Sequence, residues 1–151
     1  AGSVHVGYNG KQGRQPEWNV FRDIAAARAV FAAPWEITIA PLDLCGTLVL
    51  SSERYARVVA SASPRAKVLM ENYRDWKNRA QYPADASSVL FDTAAVYLAM
   101  DESLCTMETV NLSIDTVGNT VPDEQGRPVR CGLSWNDRAA FEELLVAAIT
   151  E

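Results

Sequence analysis

The sequence has little of what usually identifies an enzyme at first reading. It contains one histidine, His5, and three cysteines with no CxxC pair, which argues against a metal cluster and against a Ser-His-Asp triad. Its glycines form neither a GxGxxG motif that opens a helix nor a phosphate-binding loop that ends in Lys-Ser or Lys-Thr. No apolar run approaches the ~20 residues that a membrane helix requires. We therefore exclude nucleotide-phosphate binding and membrane spanning, and we interpret His5 as non-catalytic.

Charge and cysteine usage narrow the class of protein further. The net charge is −5 and the basic residues are scattered rather than gathered in a stripe, so nucleic acid is not expected as a partner. The cysteines Cys45, Cys105 and Cys131 are odd in number and far apart. We interpret them as reduced, buried thiols of a cytosolic protein. The 151 residues are enough for one domain with a hydrophobic core.

The order of predicted elements favours an α/β fold. A polar, turn-rich segment at 7–16 indicates a long loop. Helices are predicted at 24–31 with Asp23 as N-cap, at 52–60, from Pro64 onward, at 90–99, and after a cap at Asn136 or Asp137. Strands are predicted at 36–44, 108–116 and 129–135, the last two as a hairpin with a long loop. Because a doubly wound sheet needs more strand–helix alternations than these, the pattern suggests part of a larger domain.

Two helices have a predicted apolar side. In the helix that begins at Pro64 it consists of Val68, Leu69, Tyr73 and Trp76. In the final helix it consists of Phe141, Leu144, Leu145, Ala148 and Ile149. Tyr73 and Trp76, with Tyr82 in the following loop, form an aromatic group that either stacks on a nucleobase beside a site or packs as helix core.

The first candidate site is the triplet Glu17-Trp18-Asn19, between a glycine-rich loop and a helix. In an extended backbone Glu17 and Asn19 point to the same side. A carboxylate accepts hydrogen bonds and an amide both donates and accepts, which suits the hydroxyls of a sugar. The alternative is a helix entry at which the polar groups satisfy backbone amides.

The second candidate is Asp92, which interrupts the apolar stretch from Val89 to Ala95. An aspartate is costly to bury unless it is paired or binds a metal. As a ligand it suits Ca²⁺ or Mg²⁺, which prefer carboxylate oxygens. The alternative is that Asp92 is the N-cap of the helix that follows.

Three motifs in order resemble the nucleoside hydrolase family. Glu17-Trp18-Asn19-Val20, then Asp23 and an Ala-rich segment, is similar to the family's Glu-aromatic-Asn followed by Asp-Pro-Glu-Ala-Ala. The segment Pro41-Leu42-Asp43-Leu44 is similar to the end of its next strand, and Phe91-Asp92-Thr93-Ala94-Ala95 is similar to its His-Asp-Pro segment. Each motif is weak alone, but the ordered set is fairly specific.

The resemblance implies a fold and a reaction. The fold is the C-terminal portion of an open, Rossmann-like α/β sheet with an α-rich middle and a late β-hairpin, so that residues 1–151 form the C-terminal part of a single domain whose N-terminal half is absent. The reaction is hydrolysis of the N-glycosidic bond of ribonucleosides by a Ca²⁺-activated water, in cytoplasmic purine and pyrimidine salvage.

The resemblance also implies roles for individual residues. Asp92 matches a calcium ligand. Glu17 and Asn19 match ribose-binding groups, Trp18 matches the aromatic beside the sugar, and Asn9 stands for a loop asparagine that contacts ribose. Tyr73 and Trp76 fall in the region that covers the base.

Two departures limit what the chain is expected to do. Phe91 replaces a histidine that protonates purine leaving groups in some members; Phe cannot donate a proton, although it can pack against a base. The Asp-rich motif that supplies the family's catalytic base and most calcium ligands is absent. We therefore expect no catalytic residue here, no activity of this chain alone, and association with the missing N-terminal half or with itself. The alternative is a non-catalytic sugar-binding or structural fragment of the family.

Overall fold

The computed structural model describes residues 2–80 and 82–151, with the side chains of residues 78–80 left undescribed. The described chain divides into two compact units, one comprising 2–48 with Leu90–Asn136, the other comprising Val49–Val89 with Asp137–Glu151. The elements follow the chain in this order: α1 (Trp18–Arg22), α2 (Ile24–Ala32), β1 (Thr38–Ile39), α3 (Leu42–Cys45), α4 (Ser52–Ala60), α5 (Pro64–Ala80), α6 (Phe91–Leu98), β2 (Cys105–Ile114), β3 (Thr120–Pro122), β4 (Arg127–Trp135) and α7 (Arg138–Thr150).

The first unit is built on a four-stranded mixed sheet. Its strand order is β1-β4-β2-β3, with β1 parallel to β4 and the other neighbours antiparallel. The predicted hairpin is confirmed as β2 and β4, and its long connection contains the additional short strand β3. α2 packs on β2, α3 on β4, and α6 on α3 and β1. One hydrophobic core cluster joins the sheet to α1 and α2 and contains Val4, Val20, Phe31, Ile39, Leu112, Ile114, Val129 and Cys131.

Around the first candidate site one sequence prediction is wrong and one short helix was not predicted. The strand predicted at 36–44 is only Thr38–Ile39, because the chain turns at Pro41 into the helical turn α3. The segment Trp18–Arg22, for which no helix was predicted, is the helix α1. The N-cap of α2 is confirmed, since the Asp23 carboxylate accepts a hydrogen bond from the Ala26 N–H at 2.9 Å.

The second unit consists of α4, α5 and α7. Arg54 forms ion pairs with Glu142 at 3.1 Å and Glu143 at 2.8 Å and so links α4 to α7. The Asp137 carboxylate caps α7 through the Ala140 N–H.

The apolar sides predicted for α5 and α7 are partly wrong. Among the described side chains of α5, those of Ala66, Met70 and Lys77 are buried, whereas those of Val68, Leu69 and Trp76 are exposed. On α7 Phe141 and Val146 are buried together with Glu142, whereas Leu144 is exposed. None of the helices that the structure describes is long and apolar enough to cross a bilayer.

Candidate functional site

A cavity of about 320 Å³ lies in the first unit, where the loop before α1, the end of β1 and the start of α6 meet. Its walls bring together two of the sequence candidates, which are far apart in the chain. The residues that line it are Tyr8, Glu17, Trp18, Asn19, Ala40, Leu42, Cys45, Phe91, Asp92 and Ala95.

The first wall is the beginning of α1, where Glu17 is the N-cap. Its carboxylate accepts hydrogen bonds from the backbone N–H groups of Asn19, at 3.0 Å, and Val20, at 3.3 Å. The Asn19 side-chain amide also donates to Glu17, at 3.2 Å. The helix-entry interpretation is therefore confirmed, and the two residues meet through a helix cap rather than an extended strand. Glu17 is buried, and both residues line the cavity, so the cap also presents polar groups to it.

Two aromatic residues complete this wall. The Tyr8 hydroxyl accepts a hydrogen bond from the Trp18 N–H at 2.7 Å. Burial is the main cause that raises the pKa of Tyr8 above its usual value, so the phenol stays protonated at neutral pH. Trp18 is 61% exposed although it lines the cavity. The Arg22 guanidinium carbon lies over its ring, 5.4 Å from the centroid, so the face turned away from Arg22 is the one left for stacking on a ligand.

The opposite wall is the first turn of α6, with Phe91 and Asp92. The N-cap of this helix is Leu90, which forms no side-chain cap, so the interpretation of Asp92 as N-cap is wrong. Asp92 is exposed at the cavity, and the partial positive charge of a helix N-terminus favours its negative charge. The Phe91 ring meets Tyr8 edge to face, with centroids 6.0 Å apart, and joins the two walls.

The metal-binding capacity of the described residues is small. No group of three or more His, Cys, Asp or Glu side chains that could hold a metal ion occurs among them. Cys45, on the cavity floor, is free, and burial raises its pKa to about 11. Since the thiolate is the form that binds metals and attacks electrophiles, Cys45 is an apolar lining residue at neutral pH. The described residues therefore do not form a complete calcium site, and the role of Asp92 as a calcium ligand stays a prediction.

The remaining candidates lie elsewhere. Asn9 is exposed in a short turn with a φ of 56° and is not among the lining residues that the structure describes. The Tyr73, Trp76 and Tyr82 rings belong to the second unit, where Trp76 lies 5.7 Å from Tyr73 and 5.2 Å from Tyr82 between centroids. The roles proposed for Asn9, Tyr73 and Trp76 stay predictions.

Sequence reasoning missed Tyr8 and Cys45 as cavity residues. Tyr8 stands in a glycine-rich loop a few residues before Glu17, and an aromatic in such a loop is a signal that could have been used. Cys45 carries no such signal, because only the turn at Pro41 into α3 directs it to the cavity.

Most of the sequence, and not only the residues of the cavity, matches a known protein family. A family model described as inosine-uridine preferring nucleoside hydrolase matches residues 1–143. No curated protein matched the sequence.

Solved structures share the fold. The chain is similar to the plant nucleoside hydrolase PpNRh1, with a TM-score of 0.78 at 20% identity, covering 99% of this chain and 51% of that one. The purine-preferring ribonucleoside hydrolase from Gardnerella vaginalis gives 0.76 at 20% identity, covering 99% and 50%. The inosine-uridine preferring nucleoside hydrolase from Bacillus anthracis gives 0.58 at 22% identity, covering 97% and 48%. The chain thus spans about half the length of these structures. By the family match over most of its length, it belongs to the inosine-uridine preferring nucleoside hydrolase family.

Proposed function

We propose that this chain supplies the ribose-binding wall and one calcium-ligating carboxylate of an enzyme that hydrolyses the N-glycosidic bond of ribonucleosides. The observation that carries the proposal is the convergence of Glu17, Trp18 and Asn19 with Phe91 and Asp92 on one cavity. The family match supports the same reaction class. In this proposal the substrate is a free ribonucleoside.

The polar wall is suited to a sugar. Glu17 and Asn19 share a hydrogen bond and face the cavity, so together they offer both acceptors and donors. Because Glu17 is largely buried, its hydrogen bond to a ribose hydroxyl would be stronger than one made in water. Trp18 and Phe91 would then contact the apolar parts of the ligand.

Asp92 is the group that would hold the calcium ion. When bound, the ion would lower the pKa of its water. Asp92 itself would orient that ion beside the ribose-binding wall. The other ligands and the catalytic base would come from a segment outside this chain.

Features of the first unit support such an association. Within the described residues β1 pairs only with β4 and is an edge strand of the sheet. α6 packs beside it, and Val96 on α6 and Met100 in the turn that follows are 60% and 70% exposed. Unpaired strand edges and exposed apolar side chains favour pairing with another segment.

A non-catalytic sugar-binding or structural role is the second candidate. The lack of a metal-binding cluster among the described residues and the Phe91 side chain, which cannot donate a proton, both favour it.

The three buried thiols fit a reducing compartment, as the proposed cytoplasmic salvage role requires.

Ribose release separates the two candidates. The complete polypeptide, saturated with Ca²⁺, would be incubated with inosine, uridine and other ribonucleosides, with Asp92→Asn as the impaired variant and Asp137→Asn, in the cap of α7, as control. The hydrolase proposal predicts ribose from the wild type and the control and much less from Asp92→Asn. Intact ribonucleosides in every reaction would leave only the binding or structural role.

A further inference from the structure

The Asp43 carboxylate connects two segments that are distant in sequence and that each carry cavity-lining residues. It belongs to α3, the helical turn that supplies Leu42 and Cys45 to the cavity floor. Its two oxygens accept hydrogen bonds from three consecutive backbone N–H groups, those of Val4 at 2.8 Å, His5 at 2.7 Å and Val6 at 3.1 Å. Successive N–H groups directed at one anion form a concave binding site for negative charge.

From this anchor a chain of hydrogen bonds leads to Tyr8. The Ser3 hydroxyl donates to the Val6 carbonyl at 2.8 Å and accepts from the Gln15 N–H at 3.2 Å. The Gln15 side-chain carbonyl in turn accepts from the Tyr8 N–H at 2.9 Å. The loop is thus closed on itself. It is fastened to α3 by the Asp43 carboxylate and by the Leu42 N–H, which donates to the Gly2 carbonyl at 3.0 Å.

Tyr8 connects this anchored loop to both walls of the cavity. Its hydroxyl accepts from the Trp18 N–H at the start of α1, and its ring meets Phe91 on the opposite wall. A displaced loop would therefore move Tyr8 relative to both walls. Because Glu17 and Asn19 belong to the same helix start as Trp18, the separation of the ribose-binding groups from Asp92 would change as well.

We propose that Asp43 is a positioning residue, which sets the place of Tyr8 and thereby the geometry of the nucleoside-binding cavity without touching the ligand. The functional part of this proposal rests on the proposed hydrolase function. A charged acceptor shared by three N–H groups is stronger than neutral hydrogen bonds, so its removal is expected to loosen the loop rather than only to shift it.

The test compares Asp43→Asn with Asp101→Asn in the purified protein. Asp101, beyond the far end of α6 from Asp92, accepts two hydrogen bonds from Ser103 and does not line the cavity. In Asp43→Asn an amide N–H₂ group replaces one of the two accepting oxygens. This donor would face a backbone N–H, which is also a donor, so the hydrogen bond would be lost. Hydrogen exchange of residues 4–15 and the nuclear Overhauser contact between the Tyr8 and Phe91 rings would be measured for both variants.

The expected result is specific to Asp43. Asp43→Asn should speed exchange in residues 4–15 and abolish the Tyr8–Phe91 contact, and Asp101→Asn should do neither. In the catalytically complete polypeptide, KM for a ribonucleoside should rise about tenfold in Asp43→Asn with kcat changed less than about twofold. Ser3→Ala, which breaks two hydrogen bonds of the same chain without removing charge, replaces Asp43→Asn if that variant fails to fold.

Three results would contradict either the positioning role of Asp43 or the proposed hydrolase function. Unchanged exchange and an intact ring contact would overturn the positioning role. Faster hydrogen exchange in residues 4–15 with an unchanged KM would mean that Asp43 only stabilises the loop, which would also overturn the positioning role. A wild type that cleaves no ribonucleoside would refute the proposed function, while the exchange and ring-contact measurements would still decide whether Asp43 positions Tyr8.

Discussion

Glu17 combines a structural and a proposed functional role, and two substitutions separate them. Its carboxylate caps α1 through the Asn19 and Val20 N–H groups and also faces the cavity. Glu17→Gln keeps one side-chain oxygen that can cap the helix but removes the negative charge. Glu17→Ala removes the cap and the cavity-facing acceptor together.

The magnitudes of the two effects follow from the contacts. Loss of an N-cap side chain costs about 1 kcal/mol, which lowers Tm by about 2–4 °C in a protein of about 150–250 residues and by less in a larger polypeptide. Glu17→Gln should therefore shift Tm by less than that, because an acceptor remains for the helix N–H groups. A hydrogen bond to a charged group is worth about 1.5–3 kcal/mol, so loss of the charge should raise the ribonucleoside Kd roughly 10- to 100-fold.

Calorimetric titration and thermal unfolding of the complete polypeptide would measure both effects. Asp23→Ala is the matched control, since Asp23 caps the neighbouring helix α2 and does not line the cavity. It should lower Tm like Glu17→Ala and leave the Kd unchanged. If Glu17→Gln binds ribonucleosides as tightly as the wild type, Glu17 is only a helix cap and the reasoning about the ribose-binding wall is wrong.

Three further predictions concern the site and the core. Phe91→His should raise the ratio of purine to pyrimidine ribonucleoside cleavage by about tenfold or more because it adds a proton donor beside the cavity; kcat for inosine and uridine measures this, and an equal rise in Phe91→Leu would contradict it. The native thiols should react slowly with a disulfide reagent at pH 8, because burial raises the pKa of Cys45, Cys105 and Cys131 to about 11; rapid labelling before unfolding would show that they are accessible thiolates. Leu112→Ala should lower the free energy of unfolding by about 3 kcal/mol because Leu112 is 1% exposed in the core. A change below about 1 kcal/mol in urea unfolding would mean that the neighbouring core residues fill the space left by the leucine side chain.

Local sequence signals predicted much of the fold. The caps Asp23 and Asp137, the helix start at Pro64 and the bounds of α4 are confirmed because each depends on a few neighbouring residues. The hairpin is confirmed for the same reason, since turn-forming residues separate two strand-like segments.

The errors arise where tertiary contacts determine the end of an element or the side of a helix that is buried. Pro41 ends β1 early, although the apolar pattern continues through Leu44. On α5 the neighbouring helices bury Ala66 and Met70 and leave Val68 exposed, which periodicity alone does not determine.

The candidate site was predictable only in part. The convergence of Glu17 and Asn19 with Asp92 followed from the family resemblance and is present in the cavity. Asp43 could not be identified as an anchor, because its hydrogen-bond partners at Val4–Val6 lie far away in the sequence and come into contact only in the fold.

A crystal structure of the complete polypeptide with Ca²⁺ and ribose bound would show directly whether this cavity is the ribose-binding and calcium-binding site. We expect ribose hydroxyls within hydrogen-bonding distance of Glu17 and Asn19 and a calcium ion ligated by Asp92. Ribose bound elsewhere, or a calcium ion coordinated without Asp92, would contradict this expectation.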